Sequence, residues 1–255
     1  MLADLAAGHH NAPEPTRGRT QVKSFLALPA SALCLTALVA CSDRADHEAA
    51  IKKAVADAQN AKVAVEYSPM KHFPGGITCG SYGTVDKWGK ETSSQDYIVR
   101  NGLADIRPRE EDLQIFCSEQ PAAEVRARLG IDWNAPAVQR IYQDLTTLQT
   151  ALDAYVKDNF NQPTPRQGLG QLVSASDAAH RPYRYREGGY VEQLPQEPWG
   201  RDYIYRASSF GGVAGNAEIL SLGADGEEGG SGEDSDISNY HLKYLDHLAS
   251  LEAGH

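Results

Sequence analysis

The sequence predicts an α+β fold, and two patterns support this prediction. Between Val138 and Tyr155, apolar residues recur at alternating intervals of three and four residues, which is the spacing of one long amphipathic helix. Short apolar segments such as 97–99 and 203–205 are separated by glycine-rich turns, which is typical of short strands. At 255 residues, with 41% apolar and 23% charged residues, the chain is long enough for one or two globular domains.

An uncharged apolar segment at residues 25–40 predicts a secretory signal, because three basic residues at 17–23 precede it. The alternative is a buried core helix, which Pro29 near its start disfavours. Residues 38–41, with the sequence LVAC, resemble the lipobox of bacterial lipoproteins, in which the cysteine receives a diacylglyceryl group and becomes the first residue after cleavage. Cys41 is therefore the predicted lipid anchor.

The predicted signal and its upstream extension cover residues 1–40. The first 21 residues carry two acidic residues and two prolines, which is unusual for a signal, so the true start is either Met1 or Val22. Ser42 follows the anchor in place of the aspartate that would retain a lipoprotein in the inner membrane. We therefore predict a protein anchored by lipid to the outer membrane and facing the periplasm.

The cysteine count predicts one disulfide. Of the four cysteines, Cys34 leaves with the signal and Cys41 carries the lipid, so Cys79 and Cys117 remain in an oxidising compartment. The alternative is a pair of unlinked buried thiols.

Residues 41–120 are predicted to form a small α+β module. Residues 46–58 are rich in strong helix formers, and strands are predicted around Ile77, 97–99 and Ile115. The predicted disulfide would join the strand at Ile77 to the strand at Ile115. The module loosely resembles small exported domains of unassigned role, which implies no chemistry.

Residues 121–136 are predicted to be a linker that includes a short helical piece over 122–129. The long helix follows, and its narrow apolar stripe suits packing on a small sheet, for which strands are expected near 190, 203–206 and 217–222. Residues 241–255 are predicted to be a tail with a short helix.

A series of motifs follows the long helix in a specific order: Pro163-Thr164, RQGL at 166–169, GGYV at 188–191, PWG at 198–200, LSLGADG at 220–226 and DISNY at 236–240. Over residues 137–240, this order strongly resembles the globular domain of the major pseudopilin of type II secretion systems. The resemblance implies one long helix packed on a small antiparallel sheet, followed by a calcium-holding loop.

The sequence departs from that family before the long helix. Major pseudopilins begin with a short basic leader, a processing site followed by Phe-Thr-Leu-x-Glu, and a long apolar helix that continues into the globular domain. Here the predicted anchor and an additional module precede the helix instead. We therefore expect that this chain is not processed or polymerised as a pilin.

Residues 223–239 form the candidate metal loop, which is rich in glycine and has no Lys or Arg. It carries six carboxylates: Asp225, Glu227, Glu228, Glu233, Asp234 and Asp236. Calcium takes six to eight oxygen ligands in flexible geometry. The resemblance implies Asp225 and Asp236 as side-chain ligands and the Leu222 carbonyl as a backbone ligand, with Asp234 as a further candidate. The alternative is a solvated acidic loop.

The remaining function classes find little support. The net charge is −10 and no run of basic residues occurs, so nucleic acid is not an expected partner. The sequence contains no apolar stretch of 18 residues, so a membrane span is not predicted. It also contains no catalytic motif, so an enzyme is not predicted. His241 and His247 are interpreted as surface residues of the tail.

We therefore predict a structural or interaction lipoprotein of the periplasm. Its partners are the membrane, through the lipid anchor, and envelope or secretion-system proteins. The alternative is a free-standing ligand-binding module of the envelope that uses the same fold and has no role in secretion.

Overall fold

The computed structural model describes residues 46–58, 65–85, 88–175, 184–207 and 217–254. The predicted signal, the anchor Cys41 and both candidate start positions lie outside these ranges and stay predictions. In the described ranges, no helix is both long enough and apolar enough to cross a membrane.

The first part of the chain forms a helix and an antiparallel sheet. Residues 46–58 are helical, as predicted, and form α1. The strands are β1 (Val65–Tyr67), β2 (Lys71–Phe73), β3 (Ile77–Val85), β4 (Glu91–Arg100) and β5 (Leu103–Asp105). In the sheet, β1 and β2 pair with different parts of β3. The other edge of β3 pairs with β4, and β4 pairs with β5. Ile51 and Val55 of α1 pack on Tyr82 and Tyr97 in a small core.

The strand predicted around Ile115 is wrong, because this segment is helix α2 (Glu110–Phe116). Three acidic residues occupy its first turn, where the helix dipole favours negative charge. The Asp112 carboxylate also accepts a hydrogen bond from the Arg109 backbone N–H at 3.3 Å. Ile115 and Phe116 are both buried although they are adjacent, which a half-exposed strand would not allow.

The predicted linker at 121–136 is a folded segment. It contains α3 (Pro121–Leu129), which confirms the short helical piece, and α3 ends at Gly130 in the left-handed conformation. Ile131 and Trp133, only 0% and 4% exposed, are buried before the long helix begins. Whether the parts before and after this segment are separate domains stays a prediction.

The second half confirms the predicted arrangement of one long helix on a small antiparallel sheet. Helix α4 (Pro136–Asn159) packs against a sheet of β6 (Ile204–Arg206), β7 (Glu218–Ser221) and β8 (Ile237–Ser238), in that order.

No strand forms near residue 190. Instead, the short helix α5 (Gly170–Val173) is followed by turns, in which the backbone N–H of Tyr190 donates to the Leu172 carbonyl at 2.7 Å. This bond joins the turn to the end of α5, and residues 184–195 form turns and bends in place of the predicted strand.

One apolar core joins both halves of the chain. It contains Ile77 and Ile98 of the first sheet together with Phe116, Leu145 and Ile219. The predicted tail closes this core as helix α6 (Leu242–Glu252), whose buried side chains are Leu242, Tyr244, Leu245, His247 and Leu248. From residue 47 onward, the chain forms one compact unit.

The predicted disulfide between Cys79 and Cys117 is confirmed, with the two Cα atoms 6.1 Å apart. It joins β3 to the residue that follows α2. Because Cys79 belongs to the shared core, the bridge lies where the first sheet meets the helices.

Replacing both Cys79 and Cys117 with alanine is expected to lower the free energy of unfolding by about 4 kcal/mol, since the bridge restricts the unfolded chain. The measurement is denaturant unfolding of the wild type and the double variant without reductant. Adding reductant should destabilise the wild type and leave the variant unchanged. Equal wild-type stability with and without reductant would contradict the expectation.

Candidate calcium-binding loop

The candidate loop connects β7 to β8, which are antiparallel neighbours. Ser221 pairs with Ile237, so Leu222 and Asp236 are the first residues beyond the last pair on each strand. The sheet therefore brings Leu222 and Asp236 close together, although fourteen positions separate them in the sequence. We call residues 222–226 the first arm of the loop and residues 231–235 its second arm.

Backbone contacts hold the two arms against each other. Between the arms, the Ala224 N–H donates to the Glu233 carbonyl at 2.8 Å, and within the first arm the Gly226 N–H donates to the Leu222 carbonyl at 3.2 Å. Gly223 has a φ of 65°, and a Cβ there would overlap the backbone of Asp234. Glycine at 223 is therefore required both by the conformation and by the close approach of the second arm.

The predicted ligand side chains differ in their surroundings. Asp225 and Asp234 are exposed, and Asp225 Oδ1 accepts the Glu227 N–H at 3.0 Å. Asp236 Oδ2 accepts the Gly229 N–H at 3.0 Å, whereas its Oδ1 is buried and has no hydrogen-bond partner. A buried carboxylate oxygen without a partner is costly, and a bound cation would remove that cost.

The side chains of the loop do not converge on one point. Over the ranges that the structure describes, no three His, Cys, Asp or Glu side chains are grouped so that they could hold a metal ion. A cation at Asp236 would therefore take many of its oxygens from backbone carbonyls and water, and calcium accepts both. The buried Asp236 oxygen fits such a site, and the exposed carboxylates would have to move towards it.

Sequence reasoning missed Arg201, which holds the first arm. Its Nε donates to Glu197 Oε2 at 2.9 Å, its Nη1 donates to the Ala224 carbonyl at 3.1 Å, and its Nη2 donates to the Gly223 carbonyl. Glu197 is 4% exposed, so the carboxylate that orients Arg201 is fixed in the interior. The only sequence signal is the pair Glu197 and Arg201 on either side of the PWG turn.

A second missed contact holds the second arm. The Gly130 carbonyl, at the end of α3, accepts the Gly232 N–H at 2.8 Å and the Ser235 hydroxyl at 2.7 Å. Ser235 is 1% exposed. More than 100 residues separate these partners, so no local pattern in the sequence predicts the contact.

The interpretation of His247 as a surface residue is wrong, because its side chain is buried, with 7% exposure. Its ring meets the edge of Phe116 at a centroid distance of 5.4 Å, and its Nε2 has no partner. Desolvation lowers the pKa of His247, and the nearby Arg100 lowers it further. His247 lines a cavity together with Lys243 and Asp246.

His241 is partly buried. Its Nδ1 accepts the Ser238 backbone N–H at 3.1 Å, which requires that nitrogen to be unprotonated. Desolvation lowers the pKa of His241, although Glu111 and Asp236 oppose the shift. Both histidines are therefore stabilised in the neutral form.

Comparison with known proteins gives a consistent assignment for the second half. A family model described as type II secretion system (T2SS), protein G, matches residues 133–240. The type II secretion system core protein G of Vibrio cholerae is 43% identical over 105 residues, which are 41% of this chain and 69% of that protein. The corresponding protein of Aeromonas hydrophila is 44% identical over 105 residues, with the same coverage.

A solved structure is also similar. It is the crystal structure of the major pseudopilin from the type 2 secretion system of enterohaemorrhagic Escherichia coli, at 39% sequence identity. The match covers 38% of this chain and 81% of that chain, with a TM-score of 0.32.

Acidification is expected to destabilise the protein through His247 and His241. Histidine in an unfolded chain titrates near 6.5, and both folded-state pKa values are lowered, so protonation favours the unfolded state. The contribution of the neutral rings is fully present above about pH 6.5 and is lost as the pH falls below it. The measurement is the melting temperature between pH 7.5 and 5.5.

Two histidine variants separate this effect from general acid denaturation. His247→Gln should flatten part of the decline in melting temperature, whereas replacing the exposed His72 with glutamine should leave the decline as in the wild type. If the two variants follow the same curve, His247 does not contribute to the pH dependence.

Proposed function

The chain belongs to the family of type II secretion system protein G, and from that membership we propose that it acts as a structural or interaction protein of the cell envelope in type II secretion. The observation that supports this proposal most directly is the 43% identity over the domain that contains the long helix, the small sheet and the loop. We further propose that Cys41 anchors the protein by lipid to the periplasmic side of the outer membrane, with Ser42 as the sorting residue.

A second candidate function is a free-standing ligand-binding module of the envelope with no role in secretion. The feature that favours it is the first sheet with α2 and α3, which lies outside the matched residues 133–240 and contributes side chains to the same core. A domain that carries this additional sheet and its helices need not assemble as its relatives do.

Complementation of a deletion strain tests the proposed role and the anchor together. We expect that deletion reduces type II secretion, that the wild type restores it, and that Cys41→Ser leaves the protein outside the membrane fraction and restores secretion poorly. Cys34→Ser is the matched control, since Cys34 is predicted to leave with the signal. Normal secretion in the deletion strain would favour the second candidate, and membrane-bound Cys41→Ser protein would contradict the anchor.

Calcium is proposed as the ligand of the loop. The Leu222 carbonyl and the side chains of Asp225, Asp234 and Asp236 would hold it. The buried Asp236 oxygen that lacks a partner and the closeness of Leu222 to Asp236 at the sheet edge support this proposal. When bound, calcium would neutralise part of the repulsion between the carboxylates and link the two arms.

Calcium is expected to raise the melting temperature of the purified full-length protein, because the folded loop binds it and the unfolded chain does not. At a free calcium concentration of 100 times the dissociation constant, the stabilisation should be about 2.7 kcal/mol. Asp236→Asn and Asp225→Asn should abolish the increase.

Glu228→Gln is the control for that experiment, since the Glu228 side chain is 74% exposed and pairs with Arg206 at 2.8 Å. This variant should keep most of the increase. If the wild-type melting temperature responds neither to calcium nor to a chelator, the loop is a solvated acidic segment and the calcium proposal is wrong.

A further inference from the structure

Gly130 lies at the meeting point of α3 and the second arm of the loop. Its backbone N–H closes the helix by donating to the Arg126 carbonyl at 3.1 Å. Its carbonyl accepts from both ends of the second arm, from Gly232 N–H at 2.8 Å and from Ser235 Oγ at 2.7 Å. One residue therefore ends the helix and holds the arm.

The fit between Gly130 and the second arm is tight for a side chain. A Cβ at Gly130 would lie 3.2 Å from Ser231 Cα and 3.3 Å from Ser235 Oγ. The φ of Gly130 is 70°, which only glycine adopts without strain. A Cβ here therefore requires the end of α3 or the second arm to shift by a few tenths of an ångström.

The segment that carries Gly130 is anchored in the core. Val125, on the last turns of α3, and Ile131 are both 0% exposed. Trp133 is 4% exposed, and its indole N–H donates to Glu252 on α6 at 2.8 Å. The residues on either side of Gly130 are thus fixed before any ion is bound.

The second arm leads directly to the proposed ligands. Ser235, whose hydroxyl bonds to Gly130, immediately precedes Asp236. The carbonyl of Glu233 accepts the Ala224 N–H at 2.8 Å, and Ala224 immediately precedes Asp225. A displacement of the second arm would therefore move both Asp236 and the turn that carries Asp225.

We propose that Gly130 is a positioning residue of the calcium loop, so that calcium binding is coupled to the docking of the second arm on the end of α3. This inference rests on the calcium site proposed above and adds a contributor from outside the matched residues 133–240. Because coupling between two equilibria is reciprocal, calcium should also tighten the contact between the arm and Gly130.

Calcium titration of the full-length protein by calorimetry, with calcium chloride as the probe, tests the coupling. Gly130→Ala is expected to weaken calcium binding by about tenfold, within the usual range for coupled sites. Gly168→Ala is the matched control, because Gly168 has a φ of 57° and donates its N–H four residues back to the Thr164 carbonyl, but no atom lies within 4 Å of its Cβ position. The affinity of the Gly168→Ala variant for calcium should stay within about twofold of that of the wild type.

Ser235→Ala keeps the test decisive if Gly130→Ala does not fold. It removes the hydroxyl bond to Gly130 but leaves both glycines, so a smaller loss of affinity in the same direction is expected. Hydrogen exchange gives an independent measurement: calcium should slow exchange of the Gly232 amide in the wild type, because that amide bonds to the Gly130 carbonyl. If Gly130 had only a structural role, Gly130→Ala would lower the stability of the protein by the same amount with and without calcium.

The outcomes distinguish this inference from the calcium site itself. If the wild type binds calcium and the folded Gly130 and Ser235 variants bind it equally well, the coupling is wrong and the calcium site stands. If the wild type does not bind calcium, the proposed calcium site is wrong, and the proposed coupling is then wrong as well. Weaker binding by these variants, with Gly168→Ala unchanged, supports the coupling.

Discussion

The packing of α6 against α2 is the contact on which the rest of the structure depends. Tyr244 and Leu248 are 1% and 2% exposed, and the Tyr244 ring lies 5.3 Å from that of Phe116. Phe116 is the last residue of α2, next to the disulfide at Cys117, so this contact joins the first sheet to the second half of the chain. Without it, the core that Ile77 and Ile98 of the first sheet share with Phe116 would lose the buried side chains of Tyr244 and Leu248.

A buried carboxylate makes this contact specific. Asp112 of α2 is 6% exposed, and it accepts hydrogen bonds from the Tyr244 hydroxyl at 2.7 Å and from Lys243. Burial alone would raise the pKa of Asp112, but the hydrogen bonds and the charge of Lys243 lower it overall. The charge is therefore tolerated only while α6 is in place, since removing either partner would leave a buried carboxylate poorly compensated.

The sequence predicts those elements whose signal is local and periodic. The long helix was predictable because its apolar stripe extends over several turns, whereas the segment around Ile115 is too short for periodicity to separate strand from helix. The burial of His247 and the contacts of Arg201 and Gly130 depend on residues distant in the sequence. His247 is enclosed partly by Gly75, where a Cβ would lie 2.7 Å from its ring, and no local pattern records that approach. The disulfide was predictable because the predicted signal and anchor account for two of the four cysteines and leave one pair.

The candidate loop is shaped by groups outside it as much as by its own carboxylates. Arg201, oriented by the buried Glu197, holds the first arm, and Gly130 holds the second. Both contacts use backbone carbonyls, so neither pairs with a carboxylate of the loop, although Arg206 pairs with Glu228. A fixed backbone lowers the entropy that a cation must remove on binding, whereas the adjacent guanidinium opposes a second positive charge. The affinity of this loop for the proposed calcium ion would therefore depend on the balance between preorganisation by Gly130 and repulsion by Arg201, and both residues act from elsewhere in the fold.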